Sequence, residues 1–370
     1  MQQILFYFIL SFLVSAGTIA ALLPLARRLN WVDHPNHRKN HDAPTPVIGG
    51  LGVFAGIAVP VFMANGLNHH AIGWFSGALL LVIIGLIDDR IDVRWYFRLA
   101  VQILAALCLI FVADTRAAHL GPLFGLPDIE TGWLSVPLSV LAIVGLINAL
   151  NMSDGIDGLV GTLVVASMLM FISAGIYSGV PEITFQLMWV VGAVMGFLWF
   201  NLRFGKQTRA RVFLGDTGSA LLGYTIAYIA FRLTQNQVHP ITPILAPYLI
   251  AIPVIDCVVL MVRRWRQGHS PFHADRNHIH HLLLDAGFSV NQAIRFLLLL
   301  SFVIGLEAAA WLTLNIPYEK AILLINFIVM TMIWYALSRN RARIVAILKQ
   351  VHHILYGGKE EQKKPPFPAA

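Results

Sequence analysis

Charged residues are scarce in this 370-residue chain. Asp, Glu, Lys and Arg together make up 12% of it, against 57% hydrophobic residues, whereas about a quarter of a typical soluble domain is charged. The only two cysteines, Cys108 and Cys257, both lie inside apolar runs, which excludes a disulfide framework or a cysteine-based zinc knuckle. The composition therefore excludes an ordinary soluble domain and predicts an integral membrane protein.

What the chain has instead is long apolar runs. A transmembrane helix needs about 20 such residues, and we expect about eleven spans. They lie near residues 4–25, 48–65, 71–87, 96–113, 133–150, 159–178, 184–200, 212–232, 240–262, 293–313 and 319–337. The first run lacks the basic start and the small-residue cleavage site of a signal peptide. We predict an all-α polytopic protein with one transmembrane catalytic domain, 1–340, and a cytoplasmic tail, 341–370, that is disordered at its polar, proline-rich end.

The basic residues are unevenly distributed between alternate connections. Of the 26 Lys and Arg residues, all but Arg116, Arg232 and Lys320 fall on one side of the predicted membrane. By the positive-inside rule this side is cytoplasmic, so the N-terminus is periplasmic and the C-terminus cytoplasmic. The formal charge of +7 thus reports topology and gives no reason to expect nucleic acid binding. Every acidic or histidine-rich cluster then lies at the cytoplasmic face.

Three acidic segments adjoin apolar runs, where an ionised carboxylate is costly and usually functional. They are Asp88-Asp89, residues 148–158 with Asn151, Asp154 and Asp157, and residues 213–219 around Asp216. Each has a simpler alternative: a solvated helix end, an Asn/Asp/Gly turn and a helix cap, respectively. Carboxylate and amide oxygens are the ligands that Mg²⁺ shares with substrate phosphates. The segments therefore indicate a magnesium and phosphate site.

A fourth segment, residues 263–281, is rich in arginine and histidine. Its side chains suit a clamp on a diphosphate; the alternatives are a zinc site, which would normally recruit further Cys or His ligands, and a purely positive-inside anchor. Together with the carboxylates it predicts phosphoryl transfer, in which positioning and electrostatics supply most of the catalysis. The membrane setting implies that one substrate is a lipid.

The motifs PVIGG, GLIDDR, NALNMSDGIDG, VFLGDTGS and PFHADRNHIHHLL occur in order along almost the whole chain. This set resembles the polyprenyl-phosphate N-acetylhexosamine-1-phosphate transferases. The His-Ile-His-His form of the last motif is similar to the branch that uses UDP-GlcNAc rather than the peptidoglycan precursor. The resemblance implies transfer of GlcNAc-1-phosphate from UDP-GlcNAc to undecaprenyl phosphate in the bacterial inner membrane, at the first membrane step of a glycan such as O-antigen lipopolysaccharide or enterobacterial common antigen. It also implies sensitivity to tunicamycin and dependence on Mg²⁺, with Mn²⁺ as a substitute.

The resemblance further implies roles for individual residues. Asp216 would be the main Mg²⁺ ligand and Asn151 a second one, while Asp88 would activate the lipid phosphate. Further catalytic residues would be Asp89, Asp154, Asp157, His280 and His281, and the substrate-binding residues would be Asn201, Phe213, Gly215, Arg266, Arg276 and His278. One departure is that His41 and Asp42 stand where distant relatives have a basic residue before PVIGG. The same reaction with another UDP-HexNAc, a membrane transporter and assembly as a homodimer stay open.

Overall fold

The structure, a computed structural model, describes residues 2–34, 43–179, 181–235, 241–273, 275–314 and 317–357. The described chain is almost entirely helical. Its α-helices are α1 Gln2–Arg28, α2 Gly49–Asn65, α3 His69–Ile91, α4 Trp95–Leu107, α5 Ser135–Ser153, α6 Leu159–Tyr177, α7 Pro181–Asn201, α8 Gly215–Thr234, α9 Leu245–Leu249, α10 Ala251–Arg266, α11 Ile279–Asp285, α12 Val290–Thr313, α13 Glu319–Ser338 and α14 Arg341–Tyr356. A π-helical turn, Cys108–Val112, extends α4, and Gly132–Leu134 forms a 3₁₀ turn before α5.

Four short strands complete the described elements. Val32–Asp33 (β1) pairs antiparallel with Thr45–Pro46 (β2), and His119–Pro122 (β3) pairs antiparallel with Asp128–Glu130 (β4). These pairs belong to connections between helices. They do not change the predicted all-α class.

Eight helices of the described chain are long and apolar enough to cross a membrane. The protein is therefore polytopic, as predicted. All eleven predicted runs coincide with helices, but α2, α8 and the α9–α10 pair do not meet the same measure of length and composition. Helix α2 has only 17 residues, and the helical conformation is interrupted at Ile250, between α9 and α10. The number of eleven spans thus stays a prediction.

Helix α8 lies at the centre of the bundle and packs against α2, α3, α5 and α6. Every residue from Thr217 to Ala227 is buried. Because neighbouring helices shield α8 from lipid, its sequence carries Thr, Ser, Gly and Tyr rather than the continuous apolar surface of a lipid-facing helix. A central helix of this kind places its first residues where the ends of several other helices meet.

Two expectations fall partly or wholly outside the described residues. His41 and Asp42 lie there, as does the tail from residue 358 onward. The described part of the tail is helix α14, which packs against α11 through Ile344 and Leu348. The predicted tail therefore begins as an ordered helix in contact with the histidine segment.

Candidate active site

The predicted motifs come together at one end of the bundle, around the start of α8. The backbone amide of Gly49 donates to the carbonyl of Phe213 over 3.0 Å, and the amide of Phe213 donates to the carbonyl of Pro46 over 2.9 Å. These bonds join the segment before α2 to the segment before α8. Two motifs separated by more than 160 residues thus form one wall.

Asp89 caps the N-terminus of α8. Its Oδ1 accepts the backbone amide of Asp216 at 2.9 Å and its Oδ2 accepts the hydroxyl of Thr217 at 3.1 Å. Gly215 adopts φ +76° at this turn, and a Cβ atom there would lie 2.7 Å from Asp89 Oδ2. Both the left-handed backbone and the close carboxylate require glycine. Gly215 and Asp89 therefore position Asp216.

Asp88 and Asp216 share the cation Arg98 from the first turns of α4. Arg98 Nη1 lies 2.7 Å from Asp88 Oδ2 and 3.9 Å from Asp216 Oδ2. The amide of Val93 donates to the other Asp88 oxygen at 2.7 Å. The Asp88 side chain is only 2% exposed, whereas that of Asp216 is 39% exposed. Asp216 is thus the carboxylate of this pair that can reach a ligand.

Asn151, at the end of α5, contacts the same carboxylate. Its Nδ2 lies 2.5 Å from Asp216 Oδ1 and 3.0 Å from the Ser219 hydroxyl. The orientation of an amide follows from its partners, and a half turn of this group would present its oxygen beside Asp216. Asn151 therefore lies where the predicted second metal ligand should be.

A cleft opens in front of Asp216. It is lined by Asp88, Arg98, Gln102, Asn148, Asn151 and Asp216 and by apolar residues of α3 and α4. Phe272 stacks on Trp95 with ring centroids 5.5 Å apart, and both rings line the cleft. Through Phe272 the connection after α10 thereby reaches across to α4 and lines part of the cleft.

Asp154 and Asp157 follow α5 on the same side. Desolvation by the surrounding protein, followed by the negative charges of Asp216, Asp89 and Asp157, raises the pKa of Asp154 to about 8, although the residue remains partly exposed. Asp157 instead accepts hydrogen bonds from Arg203 Nε at 2.7 Å and from the amide of Ala210 at 3.1 Å. Asp154 thus faces the acidic cluster, while Asp157 holds the connection between α7 and α8.

The histidine segment meets this cluster through α11. His280 is 1% exposed, and its ring lies against Gly155, where no side chain could fit. Burial lowers the pKa of His280 well below its ordinary value, and burial together with the cation Arg276 lowers that of His281 to about 4. Both rings are therefore neutral at pH 7. His280 Nε2 and His281 Nδ1 are buried and have no hydrogen-bond partner among the described residues.

The other predicted substrate-binding residues are placed differently. Asn201 is buried; its oxygen accepts the amide of Gly158 at 2.6 Å and its Nδ2 donates to the carbonyl of Val212 at 2.8 Å. Arg266 turns towards α13, where it donates to the Tyr335 hydroxyl at 2.9 Å. Arg276 is exposed beside the histidines. Of these three, Arg276 alone has an exposed charged group close enough to influence the histidines.

Asp216 and its neighbours offer oxygen ligands to a metal ion. Within the described residues no three His, Cys, Asp or Glu side chains form a ready cage. Mg²⁺ does not need one, because it usually binds one or two carboxylates and completes its octahedron with water and substrate phosphates. Asp216 with Asn151 offers such a partial set, and the crowding of Asp89, Asp154 and Asp216 favours an added cation. The residues present therefore fit Mg²⁺.

Comparison with known proteins identifies the family. The sequence model of Glycosyl transferase family 4 matches residues 71–234. The undecaprenyl-phosphate alpha-N-acetylglucosaminyl 1-phosphate transferase of Yersinia pestis is 34% identical over 89% of this chain and 90% of its own length. Proteins of the same name from Escherichia coli K12 and Salmonella typhimurium are 36% and 32% identical, over 73% and 91% of this chain and 73% and 92% of their own lengths. The chain belongs to glycosyl transferase family 4.

This membership in glycosyl transferase family 4 confirms the predicted resemblance and the assignment to a multi-pass membrane protein. Four of the five motifs that carried the resemblance contribute residues to the cleft, and the fifth, PVIGG, is hydrogen-bonded to VFLGDTGS. The sequence patterns did not single out Arg98, which pairs with Asp88 in the cleft, or Asp256, which lies in α10 next to the site. Asp256 could have been found, because an acid inside an apolar run is a functional candidate by default.

Proposed function

We propose that the protein transfers GlcNAc-1-phosphate from UDP-GlcNAc to undecaprenyl phosphate, yielding undecaprenyl-diphospho-GlcNAc and UMP. The observation that carries this proposal is the convergence of Asp88, Asp89, Asn151 and Asp216 on one cleft at a helix-bundle end. Relatives that match about 90% of the chain carry the name of this activity. The product would be the first lipid-linked intermediate of a cell-surface glycan such as O-antigen lipopolysaccharide or enterobacterial common antigen.

The reaction is a displacement at phosphorus. A phosphate oxygen of undecaprenyl phosphate attacks the β-phosphorus of UDP-GlcNAc, and the bond from that phosphorus to the bridging oxygen breaks, so the oxygen leaves with UMP. No proton has to be transferred to the enzyme in this exchange. The chain's task is to hold two anions in line and to offset their charge.

Asp216 and Asn151 would hold Mg²⁺, with Mn²⁺ as a substitute; when bound, the ion neutralises the diphosphate and orients its oxygens. Arg98 lies beside Asp216 and would face phosphate oxygens entering the cleft. Neutral, partly exposed His281 would donate a hydrogen bond without repelling Arg276, which would contact the same diphosphate, while buried His280 would support the acidic loop at Gly155. Asp88 would act on the lipid phosphate only through Arg98, because its own oxygens are buried.

The predicted topology places this cleft at the cytoplasmic face of the bacterial inner membrane, where UDP-GlcNAc is available. Eleven spans with a periplasmic N-terminus satisfy the charge bias of the connections. The cleft then lies at the level where an undecaprenyl chain could remain in lipid while its phosphate reaches Asp216. This arrangement explains why the carboxylates lie at helix ends rather than at the middle of the membrane.

The test is radiolabel transfer by the purified, detergent-solubilised protein. We expect label from UDP-[³H]GlcNAc to enter a lipid product with undecaprenyl phosphate and Mg²⁺ present, and no transfer with EDTA. The variant Glu307→Gln, an isosteric change on α12 where Glu307 accepts a hydrogen bond from Asn326 Nδ2, serves as the matched control and should transfer at the native rate. If the protein used UDP-GalNAc and not UDP-GlcNAc, the proposed donor sugar would be wrong while the type of reaction would stand. Absence of transfer from any UDP-HexNAc by folded protein would refute the proposal.

A further inference from the structure

Asp256 is a buried carboxylate in α10 that lies outside the acidic cluster. It is 3% exposed and accepts three hydrogen bonds. They come from His278 Nδ1 at 2.8 Å, from the backbone amide of Ile279 at 3.2 Å and from Trp334 Nε1 at 3.2 Å. Since burying a charge is costly unless its oxygens are hydrogen-bonded, these three donors are what keep the carboxylate in place.

The donors belong to two separate elements. His278 and Ile279 form the start of α11, and Trp334 belongs to α13. Asp256 therefore ties the first turn of the histidine helix to the helix bundle. His278 has no side-chain cap bond to α11, and Asp256 supplies an acceptor for the orphan amide of Ile279 instead.

The second ring nitrogen of His278, Nε2, also has a partner. Arg264 is 3% exposed; its Nη2 lies 3.3 Å from His278 Nε2 and its Nε donates to Asp275 Oδ2 at 2.9 Å. A guanidinium can only donate, so Nε2 must be the acceptor and Nδ1 must carry the proton that faces Asp256. One chain of hydrogen bonds thus links Asp256, His278, Arg264 and Asp275. The acceptor Asp256 on one side of the imidazole and the donor Arg264 on the other select a single tautomer.

This chain lies next to the site but does not open into it. His278 is 6% exposed and both of its nitrogens are used within the protein. Two residues further along the chain, His280 lies against Gly155 in the acidic loop, with its ring stacked at 14° to that of His278. The orientation of His278 therefore determines where His280 and His281 stand relative to the cleft.

From this geometry we infer that Asp256 is a positioning residue for the transfer reaction: it sets the tautomer of His278 and anchors α11, so that His280 supports the acidic loop and His281 meets the sugar-nucleotide donor. The inference rests on the proposed function and refines it, because it makes His278 a positioning residue too rather than a group that touches substrate. It predicts an effect on donor use and none on the use of the lipid phosphate.

The decisive variant is Asp256→Asn. The asparagine oxygen can still accept from Ile279 and Trp334, but its amide is a donor and faces Nδ1. His278 must then move its proton to Nε2. Two donors, Nε2–H and the Arg264 guanidinium, then face each other with no acceptor between them. We expect kcat/KM for UDP-GlcNAc to fall roughly 10- to 100-fold, the loss that follows from one hydrogen bond to a charged group. The KM for undecaprenyl phosphate should stay within about twofold of the native value.

A double-variant cycle separates positioning from general damage. If Asp256 acts through His278, His278→Gln alone and the pair Asp256→Asn/His278→Gln should lose about as much as Asp256→Asn, because the residues act as one unit. Glu307→Gln is the control for a carboxylate-to-amide change in the bundle. Gel filtration and thermal unfolding in detergent report whether each variant is folded.

Two results would overturn the inference. One is native donor kinetics in folded Asp256→Asn; the other is a double variant whose losses multiply. Should Asp256→Asn fail to fold, His278→Gln alone, which removes the imidazole whose tautomer Asp256 sets, replaces it and must lower kcat/KM for the donor without changing the lipid KM. Inactivity of the native protein and of Glu307→Gln would refute the proposed function instead, so the two failures are distinguishable.

Discussion

Replacing Arg98 by methionine should destabilise the protein, because it leaves the Asp88 carboxylate without its cation. At an effective dielectric constant of 20, unit charges 2.7 Å apart attract by about 6 kcal/mol. Desolvation of Asp88 offsets much of this attraction, and Arg98 is 32% exposed and partly screened. Breaking a fully buried pair costs about 3–5 kcal/mol, so for this partly exposed pair we expect a loss of about 2–3 kcal/mol in the free energy of unfolding.

The assay is reversible unfolding of the detergent-solubilised protein, followed by tryptophan fluorescence, alongside transfer activity. The double variant Asp88→Asn/Arg98→Met removes the stranded charge as well and should recover most of the stability. It should not recover activity, since Arg98 would still be missing beside Asp216. Native stability of Arg98→Met, or full activity of the double variant, would refute this account of the pair.

The remaining predictions concern metal, donor, pH and topology. Asp216→Asn keeps size and removes the charge that a hard cation prefers; transfer should be lost in folded protein, and substantial Mg²⁺-dependent activity would exclude the ligand role. Arg276→Ala should raise the donor KM, lower kcat or do both, while the Mg²⁺ concentration for half-activity stays unchanged; a shift in that concentration alone would place the loop in the metal site. The His281 imidazole binds a proton near pH 6.5 in the unfolded chain but only near pH 4 in the folded protein, so the free energy of unfolding should fall as pH is lowered from 7 to 4. His281→Phe should reduce that fall in unfolding titrations; an unchanged dependence on pH would count against a neutral, buried ring. A cysteine in place of exposed Arg209 should not react with a membrane-impermeant thiol reagent added outside intact cells. A reaction there would mean that this connection is periplasmic and that the predicted topology is wrong.

The helical class, and the segments that meet at the candidate site, were predictable from local sequence. Apolar runs of span length determine helices in a membrane, because backbone groups must be hydrogen-bonded within the segment. Acidic segments such as Asp88-Asp89 and Asp216 stand out against those runs, since charge there is costly. The motif resemblance added the reaction, and family membership confirmed that the motifs belong together.

The division of labour among the predicted residues was decided by the tertiary structure. Asp88 and Asp89 are neighbours in sequence, yet one is paired with Arg98 and the other caps a helix 127 residues away. Asp157 and Asn201 look like ligands in sequence but bind backbone and arginine partners in the connection between α7 and α8. Which oxygens remain open depends on helix packing, and no spacing along the chain reports it.

Asp256 shows the same limit most clearly. Its partners Ile279 and Trp334 lie 23 and 78 residues further along the chain, and they meet only because α10, α11 and α13 pack together. Sequence alone determined that an acid in an apolar helix must have a compensating partner, because an unpaired buried charge is too costly. The fold decided that this partner is a histidine at the edge of the cleft, since the direction of a side chain is set by the packing of its helix.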